Sequence, residues 1–253
     1  MPIVAVANQK GGVGKTTTTV NLAAYLAKAG HKVLLVDLDP QGNATSGLGI
    51  NRDAIKSSIY HVMVDGSSAA QAVVKTRYAR LSVLPSQPVL AAAEVELAQG
   101  AQRETRLKMA LASLEYDWVL IDCPPSLGLL TLNGLVAAER ILIPVQAEYY
   151  ALEGLGQLLN TVQRVKQALN PQLSLLGVVL TMYSQRTSLS TAVAAEVESH
   201  FPDMVCSTVI PRNVRLAEAP SHGKAIVDYD RFSKGARAYK ALAKEVVSRA
   251  NQK

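Results

Sequence analysis

Cysteine is scarce: the 253 residues hold two, Cys123 and Cys206, without Cys-x-x-Cys spacing. That excludes a disulfide framework and supplies no thiolate set for an iron–sulfur cluster or structural zinc. Both thiols are expected reduced and buried. Histidine is also sparse, and His31, His61, His200 and His222 show no metal-ligand spacing. Aromatic residues make up 5%, which argues against stacking platforms for single-stranded nucleic acid. No apolar run approaches the roughly 20 residues needed to span a bilayer. No basic-then-apolar leader opens the chain, so a soluble, cytoplasmic protein is expected. No Gly-x-Ser-x-Gly elbow supports a serine nucleophile. Linkers, repeats and low-complexity blocks are also missing, which points to one domain over residues 1–253.

What is present is a large apolar fraction, 49%, and a net charge of +6. The first promises a sizeable core, and the second suggests polyanionic partners. Apolar runs of strand length recur at 3–7, 32–36, 81–84, 118–121, 140–145, 175–180 and 208–210. Several are continuously apolar, as expected of parallel strands covered on both faces. Helical patterns fill the gaps at 17–29, 103–114, 127–138, 151–169, 188–200 and 235–250, the first closed by Gly30. This alternation predicts an α/β fold, a doubly wound, mainly parallel sheet with helices on both faces. Ligands in such folds sit at the carboxyl ends of the strands.

The first of those ends carries Lys10-Gly11-Gly12-Val13-Gly14-Lys15-Thr16-Thr17, between a strand and a helix. Glycines let backbone amides curl around a phosphate, Lys15 reaches the β- and γ-phosphates, and the Thr16 hydroxyl is placed for Mg²⁺. ATP and Mg²⁺ are therefore the expected ligands. The usual loop has glycine where Gln9 stands, and Lys10 is an additional lysine. Taken alone, such a lysine would be an ordinary solvated charge. Two further strand ends read Val36-Asp37-Leu38-Asp39-Pro40-Gln41-Gly42-Asn43 and Ile121-Asp122-Cys123-Pro124-Pro125-Ser126. Asp122 stands where a P-loop ATPase keeps an aspartate of the Mg²⁺ sphere, acting through water, although a strand-end aspartate can also cap a helix. Asp37 and Asp39 are two residues apart and can share a side. An attacking water needs a group to orient it, but Asp39-Pro40 is also a turn signal.

These blocks resemble the ParA/MinD group of P-loop ATPases. With 145–154 (Val-Gln-Ala-Glu-Tyr-Tyr-Ala-Leu-Glu-Gly) and 209–224, which begins Val-Ile-Pro-Arg-Asn-Val-Arg, they stand in the order of chromosomal ParA proteins of the short, Soj type. The resemblance implies that Lys10 crosses a dimer to the partner's nucleotide and that Asp39 orients the water. It also implies that Asp37 supports the magnesium shell, and that Pro211 and Arg212 lie by the adenine. Pro124 and Pro125 would begin a switch segment sensing the γ-phosphate. It further implies a homodimer on ATP binding, slow hydrolysis raised by a ParB-type partner, and a nucleoid-associated protein. Only nine residues precede Lys10, so non-specific duplex binding is expected rather than operator reading. Basic residues collect late, at Arg186, Arg212, Arg215, Lys224, Arg231, Lys234, Arg237, Lys240 and Lys244. Arg237, Lys240 and Lys244 share a helix face opposite Tyr239, Leu242 and Val246. Arg186 matches a DNA-contacting position of Soj-type relatives, and Lys224, Lys234, Arg237 and Lys240 complete the candidate surface. A MinD-like membrane ATPase, or one that positions another cargo, is the rival. The tail from Val246 to Lys253 is short and weakly apolar for a membrane anchor, so no stable membrane association is expected.

Overall fold

The structure, a computed structural model, describes residues 1–148, 151–184 and 186–251. Tyr149 and Tyr150 of the 145–154 block, and the last two residues of the tail, lie outside the described residues. Seven strands form one sheet: β1 Ile3–Val6, β2 Val33–Asp37, β3 Val74–Lys75, β4 Leu81–Leu84, β5 Trp118–Asp122, β6 Arg140–Gln146 and β7 Ser174–Thr181. The order is β3-β4-β2-β5-β1-β6-β7, parallel except for β3 at the edge. The helices are α1 Lys15–Lys28, α2 Asn43–Gly47, α3 Ile59–Met63, α4 Ala69–Ala72, α5 Leu90–Glu96, α6 Arg106–Leu111, α7 Leu129–Ala137, α8 Ala151–Ala168, α9 Ser188–His200, α10 Val214–Glu218, α11 Ile226–Tyr229 and α12 Lys234–Asn251.

Period-two alternation along buried strands splits the core into two layers. Val4 and Val6 face α1 and α12, with Leu22, Leu26, Tyr239, Leu242 and Val246. Ala5 and Ala7 face the other side, with Leu135 of α7 and Leu155 and Leu158 of α8. Cys123 belongs to one layer and Cys206 to the other, so the sheet separates the two thiols. Burial pushes the Cys206 thiol up to about 12. Helix α1 ends as its glycine predicts: Gly30 has φ +103°, and the His31 amide donates back to the Leu26 carbonyl at 3.2 Å.

The run at 208–210 is not a strand. Its chain lies beside β7 and makes isolated bridges at Val178–Val205 and Tyr183–Pro211. Between them the amides of Ser207 and Thr208 donate to the carboxylate of Glu245 on α12, at 2.8 and 2.9 Å. A side chain from a distant helix takes the donors a ladder would need. Glu245 also accepts from Arg249 at 3.0 Å. Glu245→Ala is expected to cost about 2 kcal/mol of stability and roughly 5 °C in Tm, with Glu245→Gln losing about half as much. Thermal unfolding followed by circular dichroism measures both.

Sheet register positions the site. Asp122 pairs with Val6 on one side and with Asp37 on the other, which sets two carboxylates next to the start of the loop. The crossover after β1 leads to β2 on one side, and the crossover after β5 leads past β1 to β6 on the other, so the strand order reverses at β1, the switch point at which such sheets bind ligands.

Candidate functional site

The loop between β1 and α1 is tied by hydrogen bonds to strands far away in sequence. Asn8 donates through Nδ2 to the Pro144 carbonyl at 2.7 Å and accepts the Lys10 amide on Oδ1 at 3.0 Å. Thr181, at the end of β7, donates to the Val13 carbonyl at 2.7 Å. Gly12 and Gly14 sit at φ +75° and +88°, a region only glycine enters without cost. Gly14 caps α1 with no side-chain partner, so the first-turn amides remain available for an anion. The Lys15 side chain lies inside the loop, 6% exposed, with Nζ donating to the Lys10 carbonyl at 2.9 Å. Burial lowers its pKa, opposed by the charges of Asp122, Cys123 and Asp39. The negative charge of a neighbouring phosphate would offset that penalty.

Three buried carboxylates stand behind the loop. Asp122 Oδ1 accepts from the Thr19 hydroxyl at 2.9 Å, while Oδ2 is buried without a hydrogen-bond partner. Burial and the nearby charge of Asp37 raise its pKa, partly offset by the Thr16 and Thr19 hydroxyls. Asp37 is differently employed: Oδ2 accepts the Thr45 amide and hydroxyl at 2.8 and 2.7 Å, and Oδ1 accepts the Asp39 amide at 3.2 Å. Asp37 therefore anchors the turn that carries Asp39. The Asp39 carboxylate accepts the Gln41 amide at 2.9 Å, and its carbonyl accepts the Ser86 hydroxyl at 2.7 Å. The Asp-Pro turn is real, closed by the Gly42 amide on the Asp39 carbonyl at 2.8 Å, and Asp39 is 8% exposed. An orphaned carboxylate oxygen at Asp122 and the Thr16 side chain beside it fit Mg²⁺, which keeps waters and binds largely through phosphate oxygens.

Beside the loop lies a pocket of about 320 Å³, lined by Gly14, Thr17, Thr181, Met182, Pro211 and Arg212. The sequence-predicted pair Pro211 and Arg212 is thus brought to the loop. Met182 was not foreseen; its φ of +51° is a strained conformation for a non-glycine residue and forms one wall. Lys10 Nζ lies 3.8 Å from Glu148 Oε2, and Arg212 Nη2 lies 3.6 Å from Glu148 Oε1. Pro124 is buried and Pro125 exposed in the irregular segment between β5 and α7.

The basic residues are spread over several elements. Lys234, Arg237, Lys240 and Lys244 lie on the exposed face of α12, opposite buried Tyr239, Leu242 and Val246. Arg237 and Lys240 line a groove of about 780 Å³ with Lys28, Arg231 and Lys244. Arg186 is exposed just before α9, and Lys224 is half-buried after Gly223. Arg215 is paired with Glu218 at 2.9 Å and Asp230 at 3.6 Å. Asn8, Thr19, Thr45, Thr181, Met182 and Glu148 are the residues that sequence reasoning missed. Asn8 alone had a local signal, a polar side chain where a buried strand must turn.

Comparison with known proteins gives the same reading. The AAA_31 family, an AAA domain, matches residues 1–175. The sporulation initiation inhibitor protein Soj of Bacillus subtilis is 55% identical over 97% of this chain and 98% of its own length. The chromosome partitioning protein ParA of Caulobacter vibrioides is 50% identical over 98% of this chain and 94% of its own. A crystal structure of cobyrinic acid a,c-diamide synthase from Mycobacterium smegmatis with bound ATP analog and magnesium superimposes with a TM-score of 0.90, at 41% identity, over 100% of this chain and 96% of that one. Its relatives and structural neighbours show this chain to be an ATPase that uses ATP and Mg²⁺. By its sequence over nearly its whole length, this chain belongs to the ParA/Soj family of chromosome-partitioning ATPases.

Proposed function

We propose that two copies of this chain close face to face over two ATP molecules, and that the closed pair binds duplex DNA without sequence preference. With a ParB-type centromere-binding partner it moves chromosomal or plasmid DNA, as a cytoplasmic protein held on the nucleoid. The observation that carries the reading is the division of labour between two lysines. Lys15 occupies the inside of its own loop, whereas Lys10 turns outward with its side chain 36% exposed. A lysine at the loop's mouth that its own loop does not use supports a role toward a second copy.

Each residue then has a task. The loop amides from Gly11 to Thr17 and the Lys15 ammonium hold the β- and γ-phosphates. Pro211 and Arg212 border the base. Thr16 and, through water, Asp122 hold Mg²⁺, with Asp37 supporting that shell from behind the Asp39 turn. Bound Mg²⁺ neutralises charge on the β- and γ-phosphates. Asp39 orients the attacking water. Lys10 of each copy neutralises phosphate charge held by the other, a contact strengthened by exclusion of water. Hydrolysis removes the charge that joins the copies, and DNA is released.

Pairing doubles the number of phosphate contacts made by Arg186, Lys224, Lys234, Arg237 and Lys240, which ties DNA affinity to nucleotide state. The membrane-binding rival is disfavoured by the packing of α12. Its apolar stripe is spent on the core, with Tyr239, Leu242 and Val246 at most 1% exposed. No helix among the described residues is long and apolar enough to cross a membrane.

Duplex binding measured with ATP, with ADP and without nucleotide tests the proposal. Affinity is expected only with ATP, falling linearly with the logarithm of salt concentration. Arg186→Ala, Arg237→Ala or Lys240→Ala should each weaken binding for all sequences alike and reduce the salt slope by about one per lost contact, or roughly two per pair. Equal affinity in all three nucleotide states, or ATP-dependent sedimentation with anionic vesicles instead of DNA, would count against it.

A further inference from the structure

We infer that Glu148 positions Lys10, holding it against its own chain as a latch that must open before two copies close. The inference rests on the paired-copy reading above and adds a control to it. Glu148 follows the end of β6, where its amide donates to the Gln146 carbonyl at 2.8 Å and its Oε1 accepts from the Gln146 side-chain amide. The carboxylate is thus fixed by a local turn. From there it lies within ion-pair distance of Lys10, at 3.8 Å, and of Arg212, at 3.6 Å. One carboxylate bridges the two cations that flank the nucleotide site, one from the phosphate loop and one from the base pocket.

The backbone of Lys10 cannot move freely. Its amide donates to Asn8 Oδ1 at 3.0 Å, and its carbonyl accepts the Lys15 ammonium at 2.9 Å. Only the side chain can swing, and the carboxylate of Glu148 decides where it rests. Arrival of a triphosphate brings negative charge to the same mouth. It offers both cations a stronger partner and repels the carboxylate, so the latch is opened by the ligand that the closed pair needs.

Magnitude decides whether such a contact matters. The side chains of Lys10 and Glu148 are 36% and 46% exposed. An ion pair of that exposure shifts an equilibrium by about two- to fivefold. That is minor within one chain. Closing a pair, however, opens two latches, and the factors multiply to about four- to 25-fold on the dissociation constant of the pair.

Glu148→Gln removes the charge while keeping the shape and an acceptor for Gln146. Two measurements on the full chain test the latch. In the first, the nucleotide-free protein is pulsed with an amine-acetylating reagent and Lys10 is followed by peptide mass spectrometry, with exposed Lys75 as internal reference. Glu148→Gln should label about two to five times faster at Lys10 and equally at Lys75. In the second, sedimentation velocity with a non-hydrolysable ATP analogue and Mg²⁺ gives the pair's dissociation constant, expected to be roughly tenfold lower in Glu148→Gln. Unchanged labelling of Lys10 overturns the latch whether or not the copies pair. Weaker pairing in Glu148→Gln overturns it too, because the carboxylate then serves the partner's side of the interface. Failure of the paired-copy reading shows separately, as a wild-type protein that stays single with the analogue at every concentration.

Discussion

Lys10→Ala is expected to remain a single copy at saturating ATP and Mg²⁺, at concentrations where the wild-type chain pairs, and to lose ATP-dependent duplex binding with it. A charge pair buried in an interface costs about 2 kcal/mol or more when one partner is removed, and each closed pair contains two. The sum, about 4 kcal/mol, raises the dissociation constant by on the order of 10³. ATP binding to the single copy should survive, because the phosphate contacts come from the loop amides and from Lys15, which lies inside the loop rather than at its mouth. Lys15→Ala makes the contrast: it loses nucleotide first and pairing as a consequence. Sedimentation velocity with a non-hydrolysable analogue, together with nucleotide titration by fluorescence, separates the two. A Lys10→Ala protein that pairs as tightly as wild type means the triphosphates are not shared between copies.

The two lysines also show what a sequence can carry. Their presence, the glycines and the three aspartates were legible because a phosphate loop and its strand-end carboxylates are short, local patterns. The strands were legible where burial on both faces makes them continuously apolar, as in β2 and β5. What failed was non-local. The run at 208–210 has strand composition, yet Glu245, 37 and 38 residues away from the amides it takes, prevents the ladder. The clamps on the loop come from Pro144 and Thr181, 136 and 168 residues from their partners. The two-residue edge strand β3 is too short to show a period. The basic face of α12 was legible from helical spacing, but the groove it borders was not, since Lys28 and Arg231 reach it from other segments. Glu148 is a further case: its position after β6 says nothing of Lys10 until the sheet order places β6 beside β1.

Turnover is expected to suffer most at Asp39, where a role seen in the turn and the role proposed in hydrolysis would be confused by one substitution. The carboxylate accepts the Gln41 amide and so helps to hold the turn, and in the proposed function it orients the attacking water. Asp39→Ala removes both. Asp39→Asn keeps an oxygen for the Gln41 amide and removes only the charge and basicity. If Asp39 orients and deprotonates water, both variants fall by about 10²–10⁴ in hydrolysis while nucleotide affinity, pairing and duplex binding persist. They should then accumulate as closed pairs on DNA, since the step that removes the joining charge is blocked. If the turn is the whole role, Asp39→Asn hydrolyses ATP at nearly the wild-type rate, and Asp39→Ala alone is impaired and about 1 kcal/mol less stable. Single-turnover hydrolysis, read beside Tm for the same two proteins, divides these outcomes. The network behind the residue favours the first: Asp37 holds the Asp39 amide and Ser86 its carbonyl, with Thr45 bonded to both, so the turn's backbone has partners besides the Asp39 side chain.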